Sequence, residues 1–125
     1  MKLNLYNKND AVVLELVGKV MAGKSVVLLD EKLYSLLGRG KKKVVIDLSK
    51  TAWLSSCAIS TLLNHNVMFK EAGGVLKLAN LTDKIEEIIT VTRLTSFFEV
   101  YDSLDAALGS FIEKVENRTV SETLL

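Results

Sequence analysis

Hydrophobic and polar residues change their period several times along this chain, and each change marks an element. Leu3 and Leu5 alternate with Lys2 and Asn4, and the polar turn Asn7-Lys8-Asn9-Asp10 precedes an apolar-rich run from Val12 to Val17, so two strands joined by a tight turn are predicted. Gly18 ends the second strand. After the loop Lys19 to Lys24, Ser25 is the predicted N-cap of a helix in which Val26, Leu29, Leu33, Leu36 and Leu37 recur at helical spacing, closing at Gly38. Val44-Val45-Ile46 is a continuous β-branched run, the pattern of a central strand covered on both faces. The loop Lys50 to Leu54 then leads to a helix that opens on Ser55 and Ser56, carries Ile59, Leu62, Leu63 and Val67 on one stripe, and stops at Gly73-Gly74. Val75 to Leu78 reads as another strand. Asp83 and Glu86 place acid in the first turn of a third helix whose buried stripe is Ile85, Ile88 and Ile89. Phe97 to Tyr101 is a short strand, and Asp102 or Ser103 caps a last helix with Leu104, Ala107, Leu108, Phe111 and Val115 on one face.

The resulting order is β-β-α-β-α-β-α-β-α. Strand-helix-strand units in succession predict an α/β fold, a mostly parallel mixed sheet of about five strands with four helices and right-handed crossovers. Residues 1–115 form one domain, and the polar stretch 116–125 is a C-terminal tail, either loose or a helical extension.

Composition narrows the function. The formal net charge is +1, and the basic run Arg39, Lys41, Lys42, Lys43 reads as a solvated turn before a strand, so nucleic acid is not an expected partner. Cys57 is the single cysteine and His65 the single histidine, too few for a zinc site of the usual Cys/His kind. No metal or cofactor is expected. No stretch is apolar for the length of a membrane span, and the N-terminus lacks a charged head followed by a long apolar run, so neither membrane nor export is expected and the location is read as cytoplasmic. No glycine-rich phosphate loop and no companion carboxylate for Asp47 are evident, and the chain is read as a non-enzyme. Asp47 is expected to orient the loop after its strand by accepting backbone hydrogen bonds. His65 is read as a surface or packed residue, Cys57 as a small buried side chain and Trp53 as a plug under the loop; an exposed Trp53 would instead be an interaction anchor.

In a parallel sheet the functional edge lies beyond the carboxyl ends of the strands, where Lys50 to Leu54 delivers Ser55, Ser56 and Cys57 to a helix start. Backbone N–H groups unpaired at such a start favour an anion, including a phosphate carried by a serine there. A plain N-cap role for Ser55 or Ser56 accounts for the same residues.

The stretch Asp47-Leu48-Ser49, Trp53-Leu54-Ser55-Ser56-Cys57-Ala58-Ile59 and Leu62-Leu63 resembles the STAS domain signature of anti-sigma factor antagonists, in which a strand ending in D-L-S leads to a D-S-S-G-L-G turn and helix. The likeness runs in register from Gly18, where the family has a G-x-L-D loop, to Gly73-Gly74, Phe98 to Ser103 and Ala106-Ala107-Leu108. This resemblance implies the STAS fold, and a protein-binding regulator that engages a kinase-type anti-sigma factor. Phosphorylation of the serine after the family's Asp would inactivate it. Aligned without gaps that serine is Ser56, with Ser55 the alternative; the family's Asp falls on Ser55, its next serine on Cys57, its two glycines on Ala58 and Ser60, and its loop Asp on Met21.

The implied binding edge comprises Met21, Ala22, Gly23, Lys24 and Ser25 together with Leu54, Ser55, Ser56, Cys57, Ala58 and Ile59. A serine phosphatase as second partner, and self-association into a homodimer, stay open. The alternatives are a non-phosphorylated module that senses a small ligand or nucleotide through the same edge, and a constitutive scaffold with Met21 and Leu54 as contacts.

Overall fold

The structure is a computed structural model and describes residues 1–93 and 96–111. The antiparallel hairpin β1 (Lys2–Lys8) and β2 (Ala11–Val20) is followed by α1 (Lys24–Gly38), β3 (Lys43–Asp47), β4 (Thr51–Leu54), α2 (Ser56–Glu71), β5 (Val75–Ala79), α3 (Asp83–Val91) and β6 (Glu99–Tyr101). A last helix, α4, occupies 104–111. The sheet has six strands in the order β1-β2-β3-β5-β6, with β4 paired to β2. Every pairing except β1 with β2 is parallel.

The β-branched run sits where its pattern placed it. Val44, Val45 and Ile46 are fully buried in β3, between β2 and β5. Val44 and Ile46 face a core built with Leu29, Leu33 and Leu36 of α1, Leu62 and Phe69 of α2, and Ile85 and Ile89 of α3. Val45 faces the other side, where Ala107, Leu108 and Phe111 of α4 close over Val13 and Ala79. Three helices therefore cover one face and one helix the other. Burying each such Leu, Ile or Phe is worth about 1.5–3 kcal/mol, which is what fixes the alternation of every strand.

Five expectations are corrected. The stretch read as a loop from Lys50 to Leu54 contains β4, which takes up the far end of β2 with Gly18 opposite Thr51 and Val20 opposite Leu54; β2 does not end at Gly18 but runs through a register shift there. Ser25 does not cap α1, whose N-cap is Gly23 with no side-chain bond. On α2 the buried face is Ala58, Leu62, His65, Asn66 and Phe69, whereas Val67 is 48% exposed. The face is displaced because two polar residues in it find partners on other elements: Asn66 Nδ2 donates to the Phe97 carbonyl at 2.6 Å, and His65 Nε2 donates to Asp30 Oδ1 at 2.7 Å, joining α2 to α1. The strand expected from Phe97 begins only at Glu99, and Phe98 is instead a core residue. Val115 and the tail 116–125 lie outside the described residues.

Candidate functional site

The two segments expected to form one edge are brought together by the last pair of the β2–β4 ladder. Val20 lies opposite Leu54, and Ser55 N–H donates to the Val20 carbonyl at 2.9 Å. The chain leaves both strands at this point and enters a helix on each side, so Met21 to Ser25 and Ser55 to Ile59 form adjoining turns. Gly23 holds φ +96 with open space where a Cβ would stand, a left-handed conformation that other residues adopt only under strain.

The paired serines differ in what they do. Ser55 is the N-cap of α2: its backbone is extended (φ −71, ψ 165) and its Oγ accepts the Ala58 N–H at 3.1 Å. It is half-buried. Ser56 is the first residue of the helix and is exposed, as is Cys57, whose thiol is free and not the buried side chain expected. The first turn of α2 carries no acidic residue, and none occurs within 19–25 or 51–59, where Lys19 and Lys24 are the charged residues. Neither segment of the edge thus supplies an acidic residue to the positive end of the α2 dipole at Ser56.

Other members of the expected edge divide by burial. Met21, Ala22, Gly23 and Lys24 are exposed, and Ser25 and Ile59 are half-buried. Leu54 and Ala58, expected as contacts, are 1% and 0% exposed; both belong to the core and support the edge from beneath. The exposed side chains of this edge are Met21, Ala22, Lys24, Ser56 and Cys57.

Beneath the edge, Asp47 performs the orienting role read from its position. It is 5% exposed at the end of β3, and its Oδ1 accepts the Ser49 N–H at 3.0 Å and Asn80 Nδ2 at 3.2 Å. Two residues of this support carried no sequence signal. Thr51 is buried and its Oγ1 donates to the Leu16 carbonyl at 2.8 Å; Asn80 takes a left-handed turn (φ 57) after β5. Nearby, burial and the Asp47 and Glu15 carboxylates push the Tyr6 phenol above its ordinary value.

Beside the edge lies an apolar strip. Trp53 is 36% exposed with Lys84 Nζ 5.1 Å from its ring centre, so it is a surface residue and not a plug. A depression of about 220 Å³ joins it to Met21, and one of about 260 Å³ joins it to Ile88 and Val91. Among the described residues no cluster of three metal-ligating side chains occurs, and no helix is long and apolar enough to cross a membrane.

Residues 2–107 match the model of the STAS domain. A curated protein of Bordetella bronchiseptica, BtrV, described as a candidate anti-sigma factor antagonist, is 25% identical over 111 residues, 89% of this chain and 95% of that protein. Three solved structures share the fold. An anti-sigma factor antagonist from Mycobacterium paratuberculosis superposes with a TM-score of 0.76 at 19% identity, over 87% of this chain and 92% of that one. The anti-sigma factor antagonist SpoIIAA in its unphosphorylated form gives 0.68 at 15% identity, over 92% and 98%; the Bacillus protein in its phosphorylated form gives 0.69 at 13%, over 88% and 99%.

Proposed function

The chain belongs to the STAS domain family, and on that premise we propose that it is a regulatory protein-binding module of the anti-sigma factor antagonist kind, whose edge engages a kinase-type anti-sigma factor and is released by phosphorylation of Ser56. The observation that carries this reading is the division of labour between the two serines. Ser55 is held as a cap, while Ser56 is exposed on the first turn with its hydroxyl unused in the described contacts. Phosphorylation there adds about two negative charges and new bulk to a surface made for contact. With Ser55 in place of the family's Asp, a phosphate on Ser56 stands at the positive end of the helix dipole with no acidic residue in the first turn. That SpoIIAA is known in phosphorylated and unphosphorylated forms supports the same reading. A serine phosphatase would reset the switch, in the cytoplasm.

The test is peptide mass spectrometry of the protein from its own cells, and after incubation with ATP and kinase-type anti-sigma factors of the same genome. One phosphate on Ser56, absent in Ser56→Ala, with partner binding lost in Ser56→Glu, is the expected result. A second reading, a constitutive scaffold, is favoured by the exposed strip Met21, Trp53 and Val91 beside the edge. Binding that survives Ser56→Glu, with no phosphate under any condition, would overturn the switch and establish that second reading.

A further inference from the structure

A cleft of about 540 Å³, larger than either depression beside Trp53, lies between the β1–β2 turn and the segment joining α1 to β3. Both walls belong to the pole at which β2 and β3 begin, whereas Ser56 stands where β2 and β4 end. Lys8 and Asp10 line one side, and Lys41, Lys42 and Lys43 the other. Four lysines thus face one aspartate in a chain whose formal net charge is only +1. Lys8 has an exposed carboxylate, Asp105, at 3.9 Å; among the described residues none lies within salt-bridge distance of Lys41, Lys42 or Lys43. Like charges gathered without partners repel, and an anion relieves them.

The backbone of both walls is held by hydrogen bonds, and Lys41, Lys42 and Lys43 are exposed. Asn9 (φ 51) and Asp10 (φ 64) are both left-handed, the geometry of a tight two-residue hairpin turn, and the ladder is paired up to Lys8 opposite Ala11. On the other side Gly40 N–H donates to Leu37 O at 3.0 Å and Lys41 N–H to Leu36 O at 2.9 Å. Lys42 O accepts from Val75 N–H at 2.8 Å, and the Gly74 backbone packs directly on Lys42. Binding would therefore order only side chains, a smaller entropic cost than folding a loop.

We propose that this cleft is a binding site for a small polyvalent anion, a molecule carrying two or more phosphate groups. Ammonium groups on flexible stems suit several phosphate oxygens at once. No lining residue is aromatic and Val12 is the one aliphatic side chain, so nothing there stacks on a base or holds a ring. The volume is that of small-molecule sites, and a near-neutral chain lacks the extended field that draws in nucleic acid.

Tripolyphosphate is the probe, titrated into the full chain at low salt and followed by amide chemical shifts, with inorganic phosphate as the monovalent-group control. Saturable binding of one tripolyphosphate is expected to shift Asn7 to Asp10 and Gly40 to Lys43 while leaving Ser55 to Ile59 unmoved. Lys42→Gln and Lys43→Gln, both at exposed positions, should each weaken binding about fivefold, and Lys84→Gln should leave it unchanged. Shifts spread over lysines everywhere, equal affinity in the Lys42→Gln/Lys43→Gln double variant, or saturable binding of a DNA duplex or an acidic peptide without any response to tripolyphosphate would each overturn the proposal. None of these outcomes touches the switch at Ser56, whose readout is phosphate mass and partner release.

Discussion

Truncating the two serines one at a time separates a structural hydroxyl from a free one. Ser55 Oγ accepts the Ala58 N–H at 3.1 Å from a half-buried position, so Ser55→Ala leaves one first-turn donor of α2 unmatched. The cost of losing such a cap is about 1 kcal/mol, within a range of roughly 0.5–2. For a chain of this length that lowers the melting temperature by about 4 °C. Ser55→Gly, which lets water reach the freed N–H, should cost only a few tenths of a kcal/mol. Ser55→Asp should restore the full stability, since Asp caps as well as Ser and adds charge at the favourable end of the dipole. Ser56→Ala removes a hydroxyl that makes no described contact on an exposed first-turn residue and should stay within about 0.5 kcal/mol of the parent. Urea unfolding followed by circular dichroism measures all four, with unchanged slopes as evidence that only the native state is altered. A loss for Ser56→Ala equal to that for Ser55→Ala would refute the assignment of roles, and with it the reason for naming Ser56 as the acceptor.

Four further outcomes follow from the geometry and the electrostatics. In Gly74→Ala the new Cβ would stand 2.5 Å from Lys42 O and 2.7 Å from Lys42 Cβ, against backbone that cannot yield, so a loss of about 1–3 kcal/mol is expected in thermal melts. Gly109→Ala, with nothing within 4 Å and a helical backbone, should gain about 0.5–1 kcal/mol in the same assay. Asp30→Ala takes the carboxylate from His65, which is 1% exposed and whose Nδ1 has no hydrogen-bond partner among the described residues; leaving Nε2 unmatched too should cost about 1–3 kcal/mol in urea, and Asp30→Asn, which keeps an acceptor, should recover most of it. Tyr6 should ionise above its ordinary value in a 295 nm titration, first through desolvation of its phenol and then through the Asp47 and Glu15 charges; Glu15→Gln should bring it part of the way down. Because the folded state holds that proton longer than the unfolded chain, its contribution to stability is present below pH 10 and declines as pH rises from there through the raised value.

What could be read from the sequence was whatever local patterning decides. Val44-Val45-Ile46 announces a doubly covered strand because no polar residue interrupts it, and Asp102-Ser103 announces the start of α4; of the two it is Ser103 whose Oγ accepts the Ala106 N–H, at 3.0 Å. β4 escaped because its four residues pair with only the last part of β2 and carry no run of alternation. The face of α2 was misplaced by trusting hydrophobicity: His65 and Asn66 are core residues because Asp30 and the Phe97 carbonyl lie opposite them, 35 and 31 positions away in sequence. Lys77 is a stronger case. It is fully buried in β5, bonded to Ser110 Oγ, 3.4 Å from Tyr101 OH and 4.1 Å from the centre of the Phe111 ring, which a strand pattern reading Val-Leu-Lys-Leu presents as a wet face. The two halves of the candidate edge were joined by topology, and Leu54 and Ala58 were misjudged as contacts because the sequence does not say which side of a helix start faces the core.

The lysine cleft shows why a charge run is a poor guide taken alone. Lys41 to Lys43 has the composition of a solvated turn, and only the hairpin turn at Asn9-Asp10, some thirty positions away, makes a concave wall opposite it. Its position also limits what it can do to the other pole. The ten residues of β2 set the two ends roughly 30 Å apart, and between them Val13, Leu14, Val45 and Ile46 are fully buried in one packed ladder. Coupling across such a distance is carried most directly by an element with two packed arrangements, and the strand pair between the poles is close-packed in the one the structure shows. An anion in the cleft would then stabilise the fold without altering the edge at Ser56, so a ligand input at one pole and a phosphate input at the other would act on this domain separately.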